Sequence, residues 1–443
     1  MDRREFLRHS TLVGTGLTIL PSGIMAGTRS SNDKLNIALI GVSGRAQAHY
    51  GWLAQENVVA LCDINEAYFA GALKRFPGAK IYVDWCQCLD QKGLDAVVIC
   101  TADHHHAFIS NWAMNRGLHV YCEKPIAVSV EEARVVRENW LDKKGRIATQ
   151  VGTQMHAQPN YRRIAEMIRD GAIGDFQSVV AWGNRKTPRD GYFPAEGKPP
   201  AGFHWDLWLG PSPERPYPPA YFSGNDGANS LQWNMFWDWG VGQVGDMGSH
   251  LMDLVWNAVD AKLPTLVHAV GEAFTPDVTP VRLESHFEHT ANDWRGPLKI
   301  SWHQGGALPR SPKSSIEFDT IGHGAMFKGS EGFLIADHTS RLLLPSGKEA
   351  DLSYYQPRAN KDQLPAIDHF QQQWIDACKD PSKETGCNFE YHTQMIEHML
   401  LGFVAYRIGE RLEYDGTRGV ITNSPETNAL LKRKYRDGWT LNG

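Results

Sequence analysis

The sequence predicts an α/β fold in two parts. An open parallel sheet, covered by helices on both faces, is followed by a domain with a mostly antiparallel sheet and helices on one side. Three observations carry this. Between residues 34 and 155, short and continuously apolar runs alternate with helical segments, as in a sheet buried on both faces. Gly41 and Gly44 break the chain directly after the first apolar run, and Asp63 closes the second. Beyond residue 156 the alternation gives way to a long loop and then to successive strand-like runs.

Residues 1–31 stand apart. Arg3 and Arg4 are followed by Phe6 and Leu7, an apolar stretch over 12–20, and small or breaking residues from Pro21 to Gly27. This is the pattern of a twin-arginine export signal, and it predicts a periplasmic or otherwise exported protein. The stretch is too short and too weakly apolar to insert stably in a membrane.

In the stretch 34–155, strands are expected at 35–40, 58–62, 79–82, 96–100, 119–122 and 147–151. Helices are expected at 66–75, 105–115 and 130–143, the last opened by a capping box of Ser129 and Glu132. The stretch from Leu35 to Asp63 reads as the start of a Rossmann βαβ unit that binds a dinucleotide. Gly41, Ser43, Gly44 and Arg45 form the turn whose amides face a pyrophosphate, and Ser43 must let the backbone approach as closely as glycine would. Asp63, 22 residues beyond Gly41, is placed to accept hydrogen bonds from a ribose, which favours NAD over its 2′-phosphorylated form. Switch-point geometry adds Thr101, His104, Glu123 and Lys124 to the same rim as cofactor contacts.

In the second part, helices are expected at 161–169, 249–259, 365–378 and 389–412. Strands are expected at 176–182, 266–272, 282–288, 298–303, 316–321, 325–328 and 332–336. The loop 184–234 is rich in Pro, Gly and aromatics, and a loop so long is rare unless functional. Six of the fifteen tryptophans fall between Trp182 and Trp239, which points to an aromatic-lined site. Trp205, Trp208, Trp237 and Trp239 offer faces for an apolar sugar surface, with core packing as the competing reading. Tyr217 and Tyr221 lie in the same loop.

Two sets of residues could carry chemistry. Lys124, directly after a strand, can stabilise a developing alkoxide; a plain surface lysine is the alternative. Asp246 and His250, four apart at the start of a helix, can share a face, the carboxylate orienting the imidazole as a general base. A helix-capping Asp and a buried, hydrogen-bonded His is the competing reading. His104, His105 and His106 cannot all converge on one ion from consecutive positions, so no metal is expected. The seven cysteines are odd in number and form no evident disulfide framework. A net charge of -5 without a basic patch argues against nucleic acid as a partner.

Taken together, IGVSGRAQAH, CTADHHHAFISNWAMNRGLHVYCEKP, VGTQMHAQPNYRRIAEMIRDGAIGDF, HWDLWLGPSPERPY and GDMGSHLMD resemble the glucose–fructose oxidoreductase/inositol dehydrogenase (Gfo/Idh/MocA) family, in particular its exported members. The resemblance covers about residues 34–415. It implies a Rossmann domain at 34–155, a substrate-binding and oligomerising domain with a large open sheet at 156–415, and a tail at 416–443. It further implies NAD as cofactor, Lys124, Asp246 and His250 as catalytic residues, and a homodimer or homotetramer. The implied reaction is hydride transfer to or from a secondary alcohol of a sugar or polyol. Some relatives instead hydrolyse glycosides through transient oxidation and elimination. A third alternative is a non-catalytic carbohydrate binder on the same scaffold.

Overall fold

The computed structural model describes residues 34–223, 230–347 and 351–442; the twin-arginine pattern lies outside them. The first sheet comprises β1 (Asn36–Ile40), β2 (Asn57–Cys62), β3 (Lys80–Tyr82), β4 (Ala96–Ile99), β5 (His119–Cys122) and β6 (Thr149–Val151). Its order is β3-β2-β1-β4-β5-β6, all parallel. Every residue of β4 is buried, because helices cover both faces. The order reverses between β1 and β4, so a crevice opens beyond the C-terminal ends of those strands. The helix Val130–Leu141 starts as its sequence dictates: Ser129 Oγ accepts from Glu132 N at 3.2 Å, and Glu132 reaches back to Val128 N at 2.8 Å.

The second sheet has β7 (Phe176–Gly183), β8 (Leu266–Gly271), β9 (Leu283–His289), β10 (Leu298–Gln304), β11 (His323–Gly329), β12 (Gly332–Ala336), β13 (Arg341–Pro345), β14 (Leu412–Asp415) and β15 (Val420–Ile421). Their order is β13-β12-β11-β7-β10-β9-β8-β14-β15, with only β7 and β10 parallel among these pairs. The helix Phe389–Ile408 packs on its inner face and also against the helix Val130–Leu141. Fully buried Glu397 fastens the two helices, accepting from Arg134 at 2.9 Å and from Arg137 at 2.8 Å, with Tyr414 added at 2.5 Å.

Three expectations need correction. Residues 316–321 alternate like a strand but form turns, with Phe318 packed on Trp182 over part of the outer sheet face. The last long helix stops at Ile408, because Gly409 takes a left-handed φ of 74° and the chain leaves as β14. The chain beyond 415 is no detached tail. It supplies β15 and then returns to the first domain, where Asn111 Nδ2 donates to Leu441 O at 2.9 Å and Trp112 Nε1 to Thr440 O at 3.1 Å.

Candidate active site

The first wall of the crevice is made by backbone. Gly41 ends β1 with φ at 81°, and a Cβ there would stand 2.5 Å from the Cys100 carbonyl oxygen, so only glycine fits. Ser43 is extended and opens the short helical turn Gly44–His49, which leaves the turn open to a pyrophosphate. Asp63 anchors this turn: its Oδ2 accepts from Val42 N at 2.8 Å and its Oδ1 from Asn65 N at 2.9 Å. Burial pushes the Asp63 carboxyl up to about 6 against the pull of those amides. Gly41, Ser43, Gly44, Arg45, Asp63 and Thr101 line one cavity. The Arg45 guanidinium is turned to Glu123 Oε1 at 2.9 Å. This arrangement fits a dinucleotide whose ribose meets an acidic side chain.

The opposite wall of the same cavity comes from the long aromatic loop. Gly202 O accepts from Glu66 N at 2.9 Å, and His204 N donates to Ile64 O at 2.8 Å, so the loop is stitched to the chain just after Asp63. Phe203, Leu207, Trp208, Phe222 and Trp233 then face the cavity.

Further along the rim, on the other side of the switch point, Lys124 follows β5 at a cis bond to Pro125. His106 ties this corner to the strand before it, with Nδ1 on Pro125 O at 2.8 Å and Nε2 on Thr101 O at 3.0 Å. Lys124 Nζ donates to Asp246 Oδ1 at 2.7 Å. Asp246 lies in the π-helical turn Val244–Gly248, which runs straight into the helix Ser249–Val259 and carries His250 one turn on. A Cβ on Gly245 would meet Pro125 Cγ at 2.9 Å, so that glycine lets the turn sit against the Lys124 corner.

The charges are arranged by these contacts. Burial works to raise the Asp246 carboxyl, but Lys124 and Arg185, both paired with it, hold it below its ordinary value. Burial, then Lys124 and His338, push His250 well below the ordinary imidazole range, so it is neutral and able to accept a proton. His250 Nδ1 is buried without a hydrogen-bond partner among the described residues. Tyr161 Oη donates to the His250 carbonyl at 2.9 Å and lies 2.9 Å from His338 Nδ1. Asp103, at the start of the helix Asp103–Asn115, is pushed up to about 8 by burial, partly opposed by Lys124. One side thus offers a cationic donor and the other a neutral base.

Several sequence expectations change here. Asp246 does not pair with His250; its carboxylate spans Lys124 and Arg185. Glu123 acts as a brace: it is buried and pairs with Arg45 and with His49 Nε2 at 2.7 Å. Burial works to raise its carboxyl, but His49 and Arg45 bring it down to about 2. His104 is fully buried with Nε2 on Trp208 O at 2.8 Å, while His105 lines the cavity. Trp205 stacks on Trp208 at 4.7 Å, and Tyr217 and Tyr221 are buried in the same aromatic packing. Trp237 packs on Phe403 in a separate depression. Sequence reasoning missed Arg185, Tyr161 and His338. Of these, only Arg185, two residues past the end of β7, carried a positional signal.

Comparisons with known proteins agree with this architecture. Residues 35–153 match the NAD-binding Rossmann fold of the GFO_IDH_MocA oxidoreductase family, and residues 189–280 match that family's C-terminal alpha/beta domain. Inositol 2-dehydrogenase of Salmonella paratyphi B is 29% identical over 145 residues, which are 32% of this chain and 43% of that protein. A glycosyl hydrolase family 109 protein of Stenotrophomonas maltophilia is 28% identical over 199 residues, 41% of this chain and 42% of that one. The chain therefore spans less than half the length of these curated relatives. Among solved structures, the WlbA dehydrogenase of Bordetella pertussis, in complex with NADH and UDP-GlcNAcA, superposes with a TM-score of 0.62 at 16% identity, over 86% of this chain and 98% of that one. The first domain of this chain binds NAD. No helix among the described residues is long and apolar enough to cross a membrane.

Proposed function

The chain belongs to the Gfo/Idh/MocA oxidoreductase family, and from that premise we propose that it oxidises or reduces a secondary alcohol of a sugar, sugar derivative or polyol. The observation that carries this reading is the ion pair of 2.7 Å between Lys124 of the first domain and Asp246 of the second, with neutral His250 one helical turn away. When bound, NAD supplies the hydride acceptor or donor. Lys124 donates a hydrogen bond to the substrate oxygen and stabilises the negative charge that develops there. His250 takes the hydroxyl proton. Asp246 holds the Lys124 ammonium in place and keeps Arg185 beside it. Asp63 accepts from the ribose hydroxyls, and the Arg45 guanidinium is paired with Glu123 rather than with Asp63.

A second reading is glycoside hydrolysis through transient oxidation, supported by the match of 199 residues to the family 109 protein. Lys124 and His250 serve its oxidation step as well. Incubating the purified protein with a panel of polyols and glycosides, and analysing products together with the cofactor's redox state, separates the two. Net alcohol oxidation with matching NADH supports the first; aglycone release with unchanged cofactor supports the second; neither product with any substrate rejects both. The Arg3-Arg4 pattern supports export, and replacing both with lysine should retain the protein in the cytoplasm. The open second sheet supports assembly as a homodimer or homotetramer, which sedimentation of the purified protein tests.

A further inference from the structure

The outer face of the second sheet carries a set of side chains that the active site does not use. Glu284 and His286 stand two apart on β9, so both point to the same face. In the antiparallel register His303 of β10 lies directly opposite Glu284, and Ser301 opposite His286. One ligand atom each from Glu284, His286 and His303 lies within 4.8 Å of the other two. Around a single zinc ion such atoms sit roughly 3–4 Å apart, a distance that small side-chain rotations reach.

The state of each side chain points to a ligand. His303 is buried, yet neither ring nitrogen makes a hydrogen bond of good geometry among the described residues. A buried imidazole whose one partner is a poorly aligned backbone contact at Ala307 is costly unless something else satisfies it. His286 Nδ1 is engaged by Ser301 Oγ at 2.9 Å, which leaves Nε2 to offer and fixes the ring, as a hydrogen bond behind a metal-binding histidine does. Glu284 is held by Arg282 at 2.6 Å, an exposed pair that a divalent ion can displace.

We propose that Glu284, His286 and His303 form a binding site for a first-row divalent metal ion, with zinc the best match. Two imidazoles and one carboxylate suit zinc and its transition-metal neighbours, whereas magnesium and calcium take oxygen ligands. The ion cross-links β9 to β10. The site is separate from Lys124 and His250, so it stands or falls independently of the proposed reaction.

The test is calorimetric titration of ZnCl2 into untagged, chelator-stripped protein, with NAD binding of each sample as the check on folding. The wild type should bind one equivalent with a dissociation constant of about 1 μM or lower. His286→Ala and Glu284→Gln, both at half-buried positions, should lose more than the roughly 10–100-fold typical of second-shell changes while still binding NAD. Arg282→Ala should bind zinc more tightly, because it frees Glu284. No saturable binding at about 100 μM zinc, or unchanged affinity in the two ligand variants, overturns the site. An Arg282→Ala variant that binds no more tightly overturns Glu284 as a ligand.

Discussion

The two walls of the cofactor crevice are built by opposite means. On the sheet side, Gly41, Ser43 and Gly44 contribute mainly backbone, and the acidic Asp63 is fixed by two amides. On the loop side, Phe203, Trp208, Phe222 and Trp233 contribute aromatic surface with few polar atoms. The first wall fixes orientation through directional hydrogen bonds. The second supplies apolar burial and excludes water, and its position depends on backbone bonds at Glu66 and His204. The proposed chemistry lies where neither wall alone reaches, at the Lys124–Asp246 contact between domains. Orientation by backbone, enclosure by aromatics and reaction at the seam are therefore separable by mutation.

The largest expected effects are at the seam. Loss of a positioned base costs roughly 10²–10⁴ in rate, so His250→Ala should lower hydride transfer by that amount with NAD still bound. Lys124→Ala should be of similar size, through loss of a donor in a buried site. Asp246→Asn should cost less than either, because Lys124 and Arg185 keep their charges and lose only the carboxylate that positions them. The next effect is on stability. Glu397→Ala leaves Arg134 and Arg137 unpaired at the junction of the two domains, and should destabilise by about 3–5 kcal/mol in urea unfolding. A smaller effect sharpens the contrast of walls: Trp208→Ala should weaken NAD binding by roughly tenfold, equal to about 1.4 kcal/mol, without changing preference for NAD over its phosphorylated form. Asp63→Ala should relax that preference.

How much of this was legible in the sequence differs between the same two regions. The sheet-side residues were legible because a strand end fixes position: Gly41, Asp63, Thr101 and Lys124 each follow an apolar run by one or two residues. Side-chain direction was not legible. His104 and His105 are adjacent, and only a helix register decides that His105 meets the cavity. Glu123 and Lys124 likewise point to different tasks from one strand end. On the loop side the aromatic richness was legible, but its use was not. A tryptophan in a core and one facing a ligand have the same sequence signature, and Trp205, Tyr217 and Tyr221 turned out to support Trp208. The partners of Asp246 came from positions 124 and 185, too distant for spacing rules that see only His250.

A further expected effect concerns pH. Burial raises Asp103 to about 8, against an unfolded value of about 3.9. The folded state therefore binds more protons than the unfolded state between these values, and this group's contribution to stability falls as pH rises through that window. Asp103→Asn stays neutral throughout. Its stability relative to wild type should rise from about pH 4 to about pH 8 and be flat above, measured by urea unfolding across that range. An unchanged difference across the window would place Asp103 in solvent.

The measurement that tests the central claim most directly is single-turnover reduction of bound NAD by a reactive alcohol, in wild type, His250→Ala and Lys124→Ala, with cofactor occupancy determined for each. The account predicts full occupancy in all three and a transfer rate lowered by roughly 10²–10⁴ in each variant. Wild-type transfer rates in both variants at equal occupancy would contradict it and move the reacting centre away from the Lys124–Asp246 seam.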